Sequence, residues 1–178
     1  MIVWLNGTFG AGKTTTAREL VGLLPEARIF DAEYVGYMLR HVMVSEQVGD
    51  FQEWRPWRGL VVATATQVLD YVGGTLVIPQ SVLVQQYWQE ISAGLAAADV
   101  PVHHVVLDAE RAELLRRIES DTAEPGARQW RLDHLDAYET ARSWLGHAGE
   151  VIDTAGLDPS AVAARIAADV QARVRSWQ

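Results

Sequence analysis

The segment Gly7-Thr8-Phe9-Gly10-Ala11-Gly12-Lys13-Thr14 fits the pattern GxxxxGK[ST]; it follows an apolar run, Ile2 to Leu5, and opens a helical one. That spacing makes a cradle for a row of phosphates. Glycines let the loop fold so that the backbone N–H groups of Phe9, Gly10, Ala11 and Gly12 turn inward on phosphate oxygens, and the positive end of the following helix adds to the attraction. Lys13 would bridge the terminal phosphates, Thr14 would offer its hydroxyl to Mg2+, and Thr15 would donate to the first phosphate. A glycine-rich turn that merely caps a helix is the competing reading. Gly7, Gly10 and Gly12 in register with the only lysine of the chain favour the cradle: of 15 basic residues, all but Lys13 are arginine.

Transfer of a phosphoryl group to an alcohol also needs a base for the acceptor hydroxyl and positive charge around the transition state. Small phosphotransferases carry an acid just after the second strand. Here that position is Asp31, in Phe30-Asp31-Ala32-Glu33, and Asp31 is the candidate base. An aspartate between strand and helix is also the preferred N-cap, and one residue can serve both ends. Glu33 either orients water on Mg2+ or is a solvated first-turn glutamate. The third apolar run ends Val77-Ile78-Pro79-Gln80-Ser81, without the acid that many phosphate-binding loops pair with for the metal. Mg2+ then relies on Thr14, nucleotide phosphates and water, with Asp31 or Glu33 nearby, and Gln80 offers a polar contact.

These residues need a scaffold. Strand-length apolar runs fall at Ile2 to Leu5, Ala27 to Phe30, Thr75 to Ile78, Val102 to Leu107 and Glu150 to Ile152. Helical patterns lie between them, at Thr14–Leu24, Glu33–Val44, Trp57–Val72, Val84–Ala98, Arg111–Ser120 and Leu132–Leu145. A last helix is capped by Asp158, starts at Pro159 and buries a stripe of Val162, Ile166, Val170 and Val174. Alternation of strand and helix predicts one α/β domain over residues 1–178, a parallel sheet covered on both faces. Ser45 to Pro56 and Asp121 to Arg131 resist the pattern and are expected as ligand loops or lids.

Composition narrows the partners. With 15 basic against 23 acidic residues and a net charge of -8, no global positive field exists to hold nucleic acid or an anionic membrane. The absence of cysteine removes disulfides, thiolate metal sites and thiol nucleophiles. The first apolar stretch lacks a basic flank and runs into glycines, so neither a signal peptide nor a membrane span is expected, and a cytoplasmic protein is. Guanine recognition through Asn-Lys-x-Asp is excluded because Lys13 is the only lysine. Asp153-Thr154-Ala155-Gly156 copies the Asp-x-x-Gly of GTP-dependent switches but follows the last strand, where a turn into the final helix explains it. AAA+ motors and helicases need far more chain.

The runs Ile2-Val3-Trp4-Leu5-Asn6-Gly7 through Lys13-Thr14, Phe30-Asp31-Ala32-Glu33 with Leu39-Arg40, Leu76-Val77-Ile78-Pro79, Val102-His103-His104 and Ile152-Asp153-Thr154-Ala155 resemble the tunicamycin-resistance protein family across nearly the whole chain. That family is similar in turn to small-molecule kinases that include shikimate kinase and chloramphenicol phosphotransferase. The resemblance implies a P-loop NTPase three-layer α/β/α sandwich with strand order 2-3-1-4-5. It further implies ATP-dependent modification of an antibiotic-like compound, by phosphorylation, or else its sequestration. The acceptor segment falls at about 33–60 and the lid at about 117–135. One basic position after Arg117 in the family's pattern is taken here by Glu119.

In related kinases an arginine late in the helix after the fourth strand stacks on adenine, which is the place of Arg117; Arg128 and Arg131 fall in the lid. Each is also explained as a surface helix residue paired with an acid. Phe51, Trp54 and Trp57 recur every three residues beside Arg55 and Arg58 where related kinases hold the acceptor. Rings there supply an apolar wall and Arg58 an orienting charge; core packing explains the same stripe. His103 and His104, adjacent on a strand, point to opposite faces, one expected buried and the other in solvent. The expectation is an ATP- and Mg2+-dependent phosphotransferase acting on a hydroxyl of a small antibiotic- or nucleoside-like acceptor. A nucleotide-gated protein that captures such a compound unaltered is the rival. A monomer or homodimer fits either, with Trp144 and Trp177 as candidates to join subunits.

Overall fold

The computed structural model describes residues 1–46, 48–121 and 128–176. Strands and helices alternate along the chain: β1 (Ile2–Asn6), α1 (Lys13–Leu23), β2 (Ala27–Ile29), α2 (Glu33–Val42), a 3-10 turn (Phe51–Glu53), α3 (Arg55–Val72), β3 (Thr75–Pro79), α4 (Gln85–Ala97), β4 (Val102–Asp108), α5 (Arg111–Ser120), α6 (Arg128–Ala148), β5 (Glu150–Asp153) and α7 (Pro159–Ser176). All strand pairs are parallel, in the order β2-β3-β1-β4-β5. This is the three-layer P-loop sandwich the sequence predicts. Register places Leu5 beside both Pro79 and Val105, so β1, in the middle of the sheet, delivers its loop between the ends of β3 and β4.

Side-chain alternation along β1 divides the core. Ile2 and Trp4 face α2, α3 and α4, packing with Leu39, Trp57 and Ile91. Val3 and Leu5 face the other layer and pack with Leu20 of α1, Leu114 of α5, Leu145 of α6 and Ile166 of α7. Both faces of a parallel sheet are thereby withdrawn from water, as crossover helices require. Trp144 packs against both layers at the sheet's margin and is partly buried, while Trp177 lies outside the described residues.

Several expectations change. α6 begins at Arg128, so Arg128 and Arg131 stand on its first turn rather than in an irregular loop; residues 122–127 of the expected lid lie outside the described residues. The segment before α3 contains a turn fixed by a capping box, with Asp50 accepting from Gln52 N–H and Glu53 from Asp50 N–H, and Pro56 lies in the first turn of α3. Val162, Ile166 and Val170 are buried, but Val174, in the last turn of α7, is exposed. Both His103 and His104 are buried, since β4 is an interior strand with helices over each face.

Candidate nucleotide and acceptor site

The cradle is built by close backbone approach. Gly7 takes φ 129°, and a Cβ on it would collide with the Leu107 carbonyl of β4. The strand residue before it is pinned. Asn6, fully buried, accepts from the N–H of Gly7 at 2.8 Å and of Val82 at 2.9 Å, and donates to the Val82 carbonyl at 3.0 Å. Its remaining donor lies 3.2 Å from His104 Nε2. That nitrogen must therefore accept, leaving His104 Nδ1 to donate to the Ala148 carbonyl at 3.0 Å. Burial pushes the His104 imidazole down to about 4. Ser81 completes the clamp by donating to the Gly7 carbonyl at 2.7 Å.

Lys13 Nζ folds back onto the loop, donating to the carbonyls of Gly7 at 3.1 Å and Thr8 at 2.8 Å. Burial lowers its ammonium to about 7, with the Glu33 carboxylate pulling the other way. Over the loop stands α6. Phe9 meets the rings of Trp130 at 4.7 Å and His134 at 5.3 Å, and the Arg131 guanidinium lies 6.0 Å from the Phe9 centroid while donating to Asp121 at 2.7 Å. Arg128 reaches away, to Glu119 at 3.1 Å, which gives a local partner to the acid that departs from the family's pattern. Arg117 binds four acceptors: Glu113 at 2.7 Å, Gly10 O at 3.2 Å, Thr154 Oγ1 at 3.0 Å and Thr154 O at 2.8 Å. It joins the loop to the turn after β5, and its plane is fixed.

A cavity of about 1190 Å3 runs from this loop to the start of α2 and the 3-10 turn. Phe9, Gly10, Gly12, Lys13, Thr14 and Thr15 line it, with Arg117 and Arg131, and so do Asp31, Glu33, Trp57 and Gln80. Among the predicted site residues the structure thus brings these together. Trp54 and Arg58 do not line it. Trp54 is buried with its indole N–H on the Glu46 carbonyl. Arg58 spends its guanidinium on Glu90 at 2.6 Å, on the Gln52 and Glu53 carbonyls and on the Tyr87 ring face, locking α3 to α4 and to the turn. Gln80 donates to the Ser81 carbonyl at 3.2 Å, and its own carbonyl accepts from the Trp4 indole at 2.9 Å. Asp31 stands one residue before the N-cap, Ala32, and from there its Oδ1 accepts from the Glu33 N–H at 3.0 Å.

Sequence reading missed Tyr37, Asp50, Ser81, Trp130 and His134 in this wall. Asp50-x-x-Glu53 carried a capping-box signature, and Trp130 and His134 share the four-residue helical spacing of one face; Ser81 left no signal. Among the described residues no group of three His, Cys, Asp or Glu is placed to hold a metal, and no helix is long and apolar enough to cross a membrane.

A glycine loop on the central strand, a cavity beyond it and this strand order define a fold of the P-loop NTPase type. A family model described as AAA domain matches residues 2–142. The tunicamycin resistance protein of Deinococcus radiodurans is 31% identical, with 96% of this chain and 95% of that chain covered and a TM-score of 0.72. The chain belongs to that AAA domain family and to the tunicamycin-resistance protein family. More distant structures share the fold. A sugar kinase from Janibacter sp. HTCC2649 is 20% identical over 93% of this chain and 91% of that chain, TM-score 0.62. The APS kinase of Mycobacterium tuberculosis, solved in complex with AMPPNP and APS, is 18% identical over 93% and 94%, TM-score 0.55. No curated protein matches.

Proposed function

We propose that the protein transfers the γ-phosphoryl group of ATP to a hydroxyl of a small antibiotic- or nucleoside-like molecule, as a resistance function. The observation that carries this reading is the continuous cavity, lined both by the phosphate cradle and by two carboxylates at the entry to α2, Asp31 and Glu33. Donor and acceptor would meet in that space, held in a near-attack arrangement.

In this reading the loop N–H groups would hold the phosphates, that of Ala11 giving up its bond to the Thr8 carbonyl, and Lys13 would leave its two carbonyls for the terminal ones. Arg117, flat between Gly10 and Thr154, supports the base end, and Arg131 on α6 brings positive charge over the loop. The Thr14 hydroxyl, at the exposed start of α1 and lining the cavity, together with phosphate and water oxygens, is a hard donor set that suits Mg2+. When bound there the ion would neutralise charge on the phosphates. The acceptor would lie along Tyr37, Phe51 and Trp57, with Gln80 at the junction.

The test is incubation of the protein with Mg·ATP and a library of nucleoside and aminoglycoside antibiotics, read by mass spectrometry. A compound that gains one phosphoryl group as ADP appears is the expected result. Recovery of a tightly bound compound unaltered would replace transfer by sequestration.

A further inference from the structure

Transfer to a hydroxyl requires one group to take its proton, and two carboxylates stand at the start of α2. We infer that the base is Glu33, presented by a turn that Asp31 shapes; this rests on the phosphotransferase reading above. The two side chains are set differently. Asp31 folds back on its own helix, Oδ1 on the Glu33 N–H at 3.0 Å and its carbonyl accepting from Tyr34 N–H at 3.4 Å. Both residues line the cavity, but the Glu33 carboxylate meets a side chain: its Oε2 accepts from the Tyr37 hydroxyl at 3.1 Å. It is also the carboxylate whose charge is felt at Lys13, which puts it toward the phosphate end.

Its orientation is held from behind. Phe51 lies against the backbone of α2 at Gly36, where any Cβ would collide with the ring. From there Phe51 meets Tyr37 edge-on at 5.3 Å, while the Arg40 guanidinium lies 4.6 Å from its centroid. Tyr37 is thereby kept on Glu33, and a base must be held in place before its pKa matters. In the step, the acceptor oxygen forms a bond to the γ-phosphorus as its proton passes to the Glu33 carboxylate. The bond from that phosphorus to the β–γ bridging oxygen breaks, ADP leaves with the electron pair, and Glu33 releases the proton to water.

Single-turnover ADP release from Mg·ATP tests this, with water as acceptor and then with any acceptor the library yields. Glu33→Gln should slow release by about 10²- to 10⁴-fold, whereas Asp31→Asn, which keeps a capping oxygen, should slow it by less than about tenfold. Glu33→Asp should fall between, and calorimetry should show ATP binding within about threefold of wild type in all three. Unimpaired release by Glu33→Gln, or a larger loss in Asp31→Asn, overturns the assignment and leaves the kinase reading standing. Wild-type protein that binds ATP yet releases no ADP overturns both.

Discussion

Lys13 is buried against the Gly7 and Thr8 carbonyls, the Glu33 carboxylate only partly opposing the effect, and its charge in the free protein is correspondingly weak. With burial holding it at about 7, most molecules carry a neutral amine at pH 8. A triphosphate in the cradle restores the proton by direct attraction. The sign follows: binding takes up a proton above pH 7, so ATP affinity falls as pH rises, by up to about tenfold per unit. Calorimetry at pH 8 in buffers of different ionisation enthalpy should report an uptake approaching one proton. No uptake would mean that the amine is already charged before nucleotide arrives.

At the level of elements, the junction of α2 with the 3-10 turn shapes the acceptor end without touching the cradle. Gly36→Ala pushes a methyl group into the Phe51 ring, so it should destabilise the fold by about 1–3 kcal/mol. Transfer should suffer while ATP binding survives, and denaturant melts with nucleotide titration would show the split. The elements themselves were largely legible: the glycine loop, five apolar runs and seven helices announce the sheet because period and punctuation are local properties. What escaped was non-local. Arg58 reads as an orienting charge until Glu90, one helix away, is seen to claim it. One of His103 and His104 reads as solvent-facing until the helix layers bury both and β5 supplies Glu150 to His103 at 3.1 Å. Asn6 carries no motif of its own, since its value lies in Val82 and His104, far along the chain. α6 starts earlier than its apolar period suggests because Trp130 and His134 pack on Phe9 rather than on the main core.

Across the whole molecule, a line of polar contacts runs from Ala148 through His104 and Asn6 to the N–H of Gly7, and it works with neutral imidazole only. His104 is held at about 4 in the folded protein against about 6.5 unfolded. Its contribution is complete above pH 6.5 and is lost as pH falls toward 4, by roughly 3 kcal/mol if no other group compensates. Urea midpoints measured from pH 7 to pH 4 should decline in wild type and decline less in His104→Gln, which has no proton to gain; parallel curves would count against it. The sheet this line crosses has short margins. β2 has three residues and β5 four, so neither outer strand offers the long run of open N–H and C=O groups on which a neighbouring chain could build. Brevity at the borders guards this parallel sheet against growing from one copy into the next.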